Sequence, residues 1–287
     1  MNIKSKTLKS NQIYLGDSYE LIKNIPDHSI DLIYTDPPYD FHSGTAVSGG
    51  IFKNRVVKPY QDVVDAKLNA VIDNSILDEF VRVMKYIYIY IWCNKSQIPF
   101  YLNYFLSYPN ISFEILTWHK KNCTPITKNT FLPDTEYCLM FREKGVCLLN
   151  DGYELKHKYY ISNTNKNDKD DYLHPTIKPI EFVEKHIAHS TQVGDIVFDP
   201  FLGSGTTALA AKHLGRNYLG FEINEAYYKI AKDRLNGINQ KGEMNLFDIE
   251  NTRRQKCDIK ISGKCCMELK KNQRSICKKV RRCYERN

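Results

Sequence analysis

Ile196-Val197-Phe198-Asp199-Pro200-Phe201-Leu202-Gly203-Ser204-Gly205-Thr206-Thr207 decides how the rest of the chain reads. An apolar strand runs into a glycine-containing turn, and an alanine-rich helix, Ala208 to Leu214, follows. Glycines let a backbone approach a ligand closely, and the N-terminus of the next helix offers unpaired N–H groups to an anion. The following strand, Tyr218-Leu219-Gly220-Phe221, ends in Glu222. An acidic residue at the tip of the second strand of such a βαβ unit commonly holds ribose hydroxyls. The dinucleotide spacing Gly-x-Gly-x-x-Gly is broken, because Ala208 stands where the third glycine would come. The unit therefore points to a nucleoside cofactor more than to NAD.

Working outward, Asp36-Pro37-Pro38-Tyr39 follows the apolar run Asp31-Leu32-Ile33-Tyr34-Thr35, which reads as a buried strand. Two prolines cannot continue that strand or enter a helix interior, so the chain breaks there. The break leaves a carboxylate (Asp36), proline carbonyls and an aromatic face (Tyr39) at a strand's carboxyl end, where open α/β sheets bind ligands. Two acceptors beside a flat ring suit a planar group bearing an NH2, such as a nucleobase. Taken alone, the tetrapeptide reads equally well as a plain turn.

Together these stretches resemble the S-adenosylmethionine-dependent amino-methylating DNA methyltransferases. Asp36-Pro37-Pro38-Tyr39 is similar to their catalytic tetrapeptide, and Phe201-Leu202-Gly203-Ser204-Gly205 to their Phe-x-Gly-x-Gly cofactor motif. His174-Pro175-Thr176-Ile177-Lys178-Pro179 is similar to a further signature of the family. The tetrapeptide precedes the cofactor motif, which is the permuted order of the family's beta group. The resemblance runs from about Asn11 to Asn236. It implies an α/β, Rossmann-like methyltransferase fold: a seven-stranded, mostly parallel sheet with helices on both faces and one antiparallel strand, in circularly permuted motif order. It implies S-adenosylmethionine as cofactor and double-stranded DNA as partner. A homodimer and a cognate restriction endonuclease stay open.

The resemblance also assigns roles. Asp36 and the Pro37 carbonyl would accept the two hydrogens of an exocyclic amine, beside Pro38, with Tyr39 stacked on the base. Asp199, Phe201, Gly203, Ser204, Gly205 and Thr206 would bind the cofactor, the last five shaping the methionine pocket. Glu222 would bind the ribose, Asp17 the adenine, and Lys178 would help hold the cofactor. Asp17 reads equally as a helix cap. Asp at the first tetrapeptide position leans toward adenine N6, with cytosine N4 as the alternative. A protein glutamine methyltransferase would carry Asn-Pro-Pro-Tyr, and a binding module without activity would not need the full set of residues.

Length and composition bound the rest. The 287 residues, 42% of them hydrophobic, suffice for one sizeable core with a small appendage. No apolar run approaches a membrane span, and Met1 to Gln12 is polar and lysine-rich, unlike a secretion signal. A cytoplasmic protein with nine reduced cysteines is the expectation. Residues 251–287 hold 13 Lys and Arg against 3 Asp and Glu, leaving 28 basic and 30 acidic residues for the other 250. The net charge of +8 is thus a property of the tail. Its cysteines, Cys257, Cys265, Cys266, Cys277 and Cys283, lack the paired spacing of a zinc site, so no metal is expected. The expected layout is a catalytic domain over 1–250 and a basic, cysteine-rich tail over 251–287.

Between the motifs, Gln12 to Leu15, Ile87 to Trp92, Phe113 to Trp118 and Tyr137 to Phe141 read as strands. Ser18 to Asn24, Ile76 to Met84, Ser96 to Tyr108, Ile180 to Ala188 and Asn224 to Asn236 read as helices. Residues 40–60, rich in glycine and carrying Lys53, Arg55 and Lys58, read as a mobile loop beside the catalytic corner. Residues 145–173 fall where permuted relatives recognise their target. Lys156, His157, Lys158, Tyr159 and Tyr160 there could contact phosphates and bases, or form only a flexible hairpin.

Overall fold

In a computed structural model of the protein, the described residues are 8–38, 72–123, 129, 131–149, 153–163 and 177–238. Eight strands form one sheet: β1 (Gln12–Leu15), β2 (Leu32–Thr35), β3 (Tyr88–Cys93), β4 (Ile111–Lys120), β5 (Thr135–Glu143), β6 (Tyr159–Ser162), β7 (Ile196–Asp199) and β8 (Asn217–Glu222). Their spatial order is β1-β8-β7-β2-β3-β5-β4-β6. Among the described strands only β5 runs against its neighbours, pairing antiparallel with both β3 and β4. The helices are α1 (Ser18–Leu21), α2 (Asn74–Val83), α3 (Ile98–Phe105), α4 (Ile180–Ser190), α5 (Thr206–His213) and α6 (Glu225–Leu235).

β2 and β3 are buried at every position. That is the signature of parallel strands covered on both faces, and it explains why their sequences are continuous apolar and aromatic runs. Alternation divides the core in two. Ile33, Ile89 and Ile91 face a cluster with Phe80 of α2, Phe105 of α3, Phe141, Phe198 and Phe221. Tyr34, Tyr90 and Trp92 face the opposite cluster, with Phe182 and Ile187 of α4 and Ala210 and Ala211 of α5. Helix starts are set by side chains that accept from exposed N–H groups: Asp73 from Ser75, Asn224 from Ala226 and Tyr227.

The expected sheet of seven strands has an eighth. β6 pairs parallel with β4, Thr117 opposite Tyr159 through Lys120 opposite Ser162. It is a short edge strand whose Tyr159 and Ile161 are exposed, so it is held by backbone pairing and leaves little apolar signal. β4 also runs past Trp118, where the expected strand ended, through His119 and Lys120.

The sheet order reverses between β7 and β2. From β7 the chain crosses through α5 to β8 on one side; from β2 it crosses through α2 to β3 on the other. The crevice outside the carboxyl ends of β7 and β2 is therefore the topological switch point, the usual ligand site of open α/β sheets.

Candidate functional site

The first wall of the crevice is the turn from β7 to α5. Gly203 and Gly205 both have positive φ, 54° and 83°. At Gly205 a side chain is excluded twice: by the backbone, and because a Cβ would lie 2.9 Å from the Cβ of Ala231 on α6. The turn is braced from below by Arg234 of α6, itself buried. Its Nη1 donates to the Ser204 carbonyl (2.8 Å), to Ser204 Oγ (3.0 Å) and to Thr206 Oγ1 (3.0 Å). The Ser204 and Thr206 hydroxyls thus face Arg234, and what this turn offers a ligand is its backbone at the start of α5. Phe201 packs edge-on against Phe80 of α2, ring centroids 6.5 Å apart.

Glu222, at the tip of β8, closes that wall. Oε2 accepts from the Gly203 N–H (2.7 Å) and Oε1 from the Asn224 N–H (2.8 Å). Burial raises its pKa, and the backbone donors work against that rise. β1 ends level with it, Leu15 opposite Glu222, and Gly16 N–H donates to the Glu222 carbonyl. This delivers Asp17 to the same sheet end. There Asp17 caps α1, accepting from the Tyr19 N–H at 2.9 Å.

The second wall is the corner after β2. Asp36 leaves the strand beside β7, to which Leu32 and Ile33 are paired. The two walls are tied: Thr35 Oγ1 donates to Asp199 Oδ1 at 2.9 Å, and Thr207 Oγ1 to the Tyr34 carbonyl at 3.4 Å. Asp199 also accepts from the Phe201 N–H (3.1 Å), which shapes the turn. Burial pushes the Asp199 carboxyl up to about 7, against its hydrogen bonds to Thr207 and Thr35.

Lys178, expected to help hold the cofactor, has its ammonium on the corner. Nζ donates to Asp36 Oδ2 at 2.5 Å, lies 3.1 Å from Glu136 Oε2 and sits 4.8 Å from the centre of the Trp92 ring. Gln97, buried, donates to the Pro38 carbonyl at 3.5 Å. Glu136, Gln97 and Arg234 carry no motif of their own; only a three-dimensional neighbourhood reveals them. Tyr39, His174, Pro175, Thr176, the 40–60 segment and the cysteine-rich tail lie outside the described residues. Among the described residues no cluster of His, Cys, Asp and Glu could hold a metal ion, and no helix is long and apolar enough to cross a membrane.

Comparison with known proteins agrees with this geometry. The N6/N4 methyltransferase family, described as DNA methylase, matches residues 30–233. The type II methyltransferase M2.LlaDCHI of Lactococcus lactis subsp. cremoris is 32% identical over 244 residues, 79% of this chain and 90% of the relative. M2.DpnII of Streptococcus pneumoniae is 30% identical, over 78% of this chain and 89% of its own length. The crystal structure of the M1.HpyAVI–SAM complex superposes with a TM-score of 0.54 at 28% identity, covering 78% of this chain and 99% of that one. The PvuII cytosine-N4-specific DNA methyltransferase shares the fold, with a TM-score of 0.60 at 18% identity over 87% of this chain and 94% of that one. A crevice that joins an Asp-Pro-Pro corner to a glycine turn, inside a match covering most of the chain, leaves one assignment: the protein belongs to the N6/N4 DNA methylase family.

Proposed function

We propose that this protein transfers a methyl group from S-adenosylmethionine to the N6 atom of adenine in double-stranded DNA, at a base rotated out of the helix. The observation that carries the reading is the adjacency of the two walls, tied by the bond from Thr35 to Asp199. S-adenosylmethionine is the cofactor of the family, and the solved M1.HpyAVI structure is a complex with it.

The residues present fit that cofactor. A buried carboxylate at a strand tip (Glu222) suits ribose hydroxyls, and each of its oxygens keeps a second lone pair beside its backbone bond. The positive-φ turn at Gly203 and Gly205 leads into α5, whose first backbone N–H groups would suit the methionine carboxylate. Asp17, two residues beyond Leu15 at the same sheet end, would take the adenine end. Once bound, the cofactor supplies a sulfonium-activated methyl group.

The chain's own work is to hold the acceptor amine. An exocyclic amine is a poor nucleophile because its lone pair is delocalised into the ring. Asp36 and the Pro37 carbonyl accept its two hydrogens, which favours a tetrahedral nitrogen with its lone pair aimed at the methyl. Displacement is then direct, with no covalent intermediate on the enzyme, and the proton that the nitrogen sheds on gaining the methyl group would leave by way of Asp36 to solvent. Positioning supplies most of the rate, so small displacements of Asp36 are costly. A base within the duplex cannot reach a corner at the carboxyl end of a central strand, hence the rotation out of the stack, with Tyr39 as its stacking surface.

Cytosine N4 is the second reading, because the family that matches this chain takes in both N6 and N4 enzymes. The test is to methylate unmodified plasmid DNA with labelled cofactor, digest it to nucleosides and weigh them. N6-methyldeoxyadenosine is expected; N4-methyldeoxycytidine would replace the adenine reading. In the same assay Asp36→Ala should lower turnover by at least about 100-fold while cofactor affinity holds. Normal turnover in that variant would remove Asp36 from the mechanism.

A further inference from the structure

The corner holds more charge than amine binding requires. Lys178, in the stretch that leads into α4, is buried, and its ammonium lies between two carboxylates, Asp36 on the β2 exit and Glu136 on β5. Glu136 in turn pairs through Oε1 with the ammonium of Lys120, the last residue of β4. Because β5 alone runs antiparallel, its first turn of residues falls at the edge of the sheet where β2 ends. The reversed strand is what brings Glu136 to the crevice. The result is an alternating row: Asp36, Lys178, Glu136, Lys120.

We propose that Glu136 is a positioning residue for methyl transfer, acting through Lys178 to set how Asp36 meets the amine. The inference rests on the methyltransferase reading above and adds to it a residue that touches neither base nor cofactor. The physical reason is the sharing of one ammonium. A buried ammonium with a single carboxylate would bind it tightly and draw down its strength as an acceptor. Divided between Asp36 and Glu136, the same ammonium still fixes the Asp36 carboxylate in place, yet leaves it able to accept a hydrogen from the substrate amine. Lys120 balances the second carboxylate, so the row carries no net charge where a cationic donor must enter. Trp92, under the Lys178 ammonium, keeps it from moving out of line.

The ionisation of the row is consistent with this. Burial alone would depress the Lys178 ammonium, but Asp36 and then Glu136 outweigh it and raise its pKa above the ordinary lysine value. Burial alone would raise the Glu136 carboxyl, but Lys178 and then Lys120 hold it at about 2. Both groups are therefore charged throughout the pH range of an assay.

The experiment uses the full chain, S-adenosylmethionine with a labelled methyl group, and plasmid DNA from a methylation-deficient host. Glu136→Gln keeps the shape and removes the charge. It should lower kcat by on the order of 10- to 100-fold, with the calorimetric Kd for S-adenosylmethionine within about twofold of wild type. Glu136→Asp, which restores the carboxylate, should recover much of the loss. Where Glu136→Gln fails to fold, Lys120→Met reads the same coupling from the other end, with kcat lowered and cofactor affinity kept. A kcat for Glu136→Gln within about twofold of wild type overturns the inference. So does a loss of cofactor affinity in step with kcat, which marks general loosening, or an aspartate variant as slow as the glutamine one. In all three cases wild-type methyl transfer leaves the parent reading intact. Absence of transfer by the wild-type protein overturns that reading, and this inference with it.

Discussion

At the scale of single residues, the crevice is defined by carboxylates in unlike surroundings. Asp36 faces a buried ammonium, Glu222 faces backbone N–H groups, and Asp199 is buried among hydroxyls. Asp199 makes a pH prediction. Its carboxyl is raised by burial from 3.8 to about 7, so the native state keeps a proton that the unfolded chain has already lost. Its contribution to stability is complete below about pH 4 and is lost as pH rises through about 7. Asp199→Asn can still accept from Thr35 and Phe201 but cannot ionise. The Tm of Asp199→Asn minus that of wild type is therefore expected to grow between about pH 5 and pH 8. A difference independent of pH would return Asp199 to ordinary carboxylate behaviour. None of this is visible in the sequence, where Asp199 reads only as a cofactor-binding candidate at the end of an apolar strand.

At the scale of elements, the contact of the glycine turn with α6 stands out. Glycines in such a turn invite a ligand explanation, and Gly203 permits one. Gly205 answers first to α6, since Ala231 occupies the space a side chain would need. Gly205→Ala is expected to destabilise the protein by about 1–3 kcal/mol, from backbone strain and overpacking together. It should also weaken S-adenosylmethionine binding. Ala231→Gly costs about 1 kcal/mol alone as a helix substitution, and should cost less in the Gly205→Ala background, because it opens the same space. Denaturant melts of the four proteins measure that coupling, and strict additivity would show that the two residues do not meet. Helix and strand positions were largely legible beforehand, because long apolar runs and capping residues are local signals. β6 was not: four half-exposed residues at an edge have no periodicity strong enough to read, and only pairing with β4 defines them.

At the scale of the whole molecule, charge and topology are distributed differently. Residues 1–250 are close to neutral, with 28 basic and 30 acidic residues, whereas 251–287 carry 13 basic residues against 3 acidic ones. If the tail contacts phosphates without reading bases, removing 251–287 should flatten the slope of log affinity against log salt for plasmid DNA while the methylated site stays the same. An unchanged slope would place the salt-sensitive contacts in residues 1–250. Topology brings the site together. Residues 36 and 199 are 163 positions apart, yet β2 and β7 are neighbours, and their carboxyl ends share one crevice. The sheet reverses direction of growth there, so the helices on either side leave it open.

By itself, the sequence determined the family, its three motifs and most of the elements. These are short-range patterns: a proline break after an apolar strand, glycines before a helix, an acid at a strand tip. Only the tertiary structure decided that Lys178 lies on Asp36, that Glu136 shares it, that Arg234 holds the glycine turn, and that the sheet has eight strands. Those facts depend on which residues a fold brings within about 3 Å of one another, the range of a hydrogen bond. Spacing along a chain does not encode that distance when a reversed strand and a crossover helix intervene.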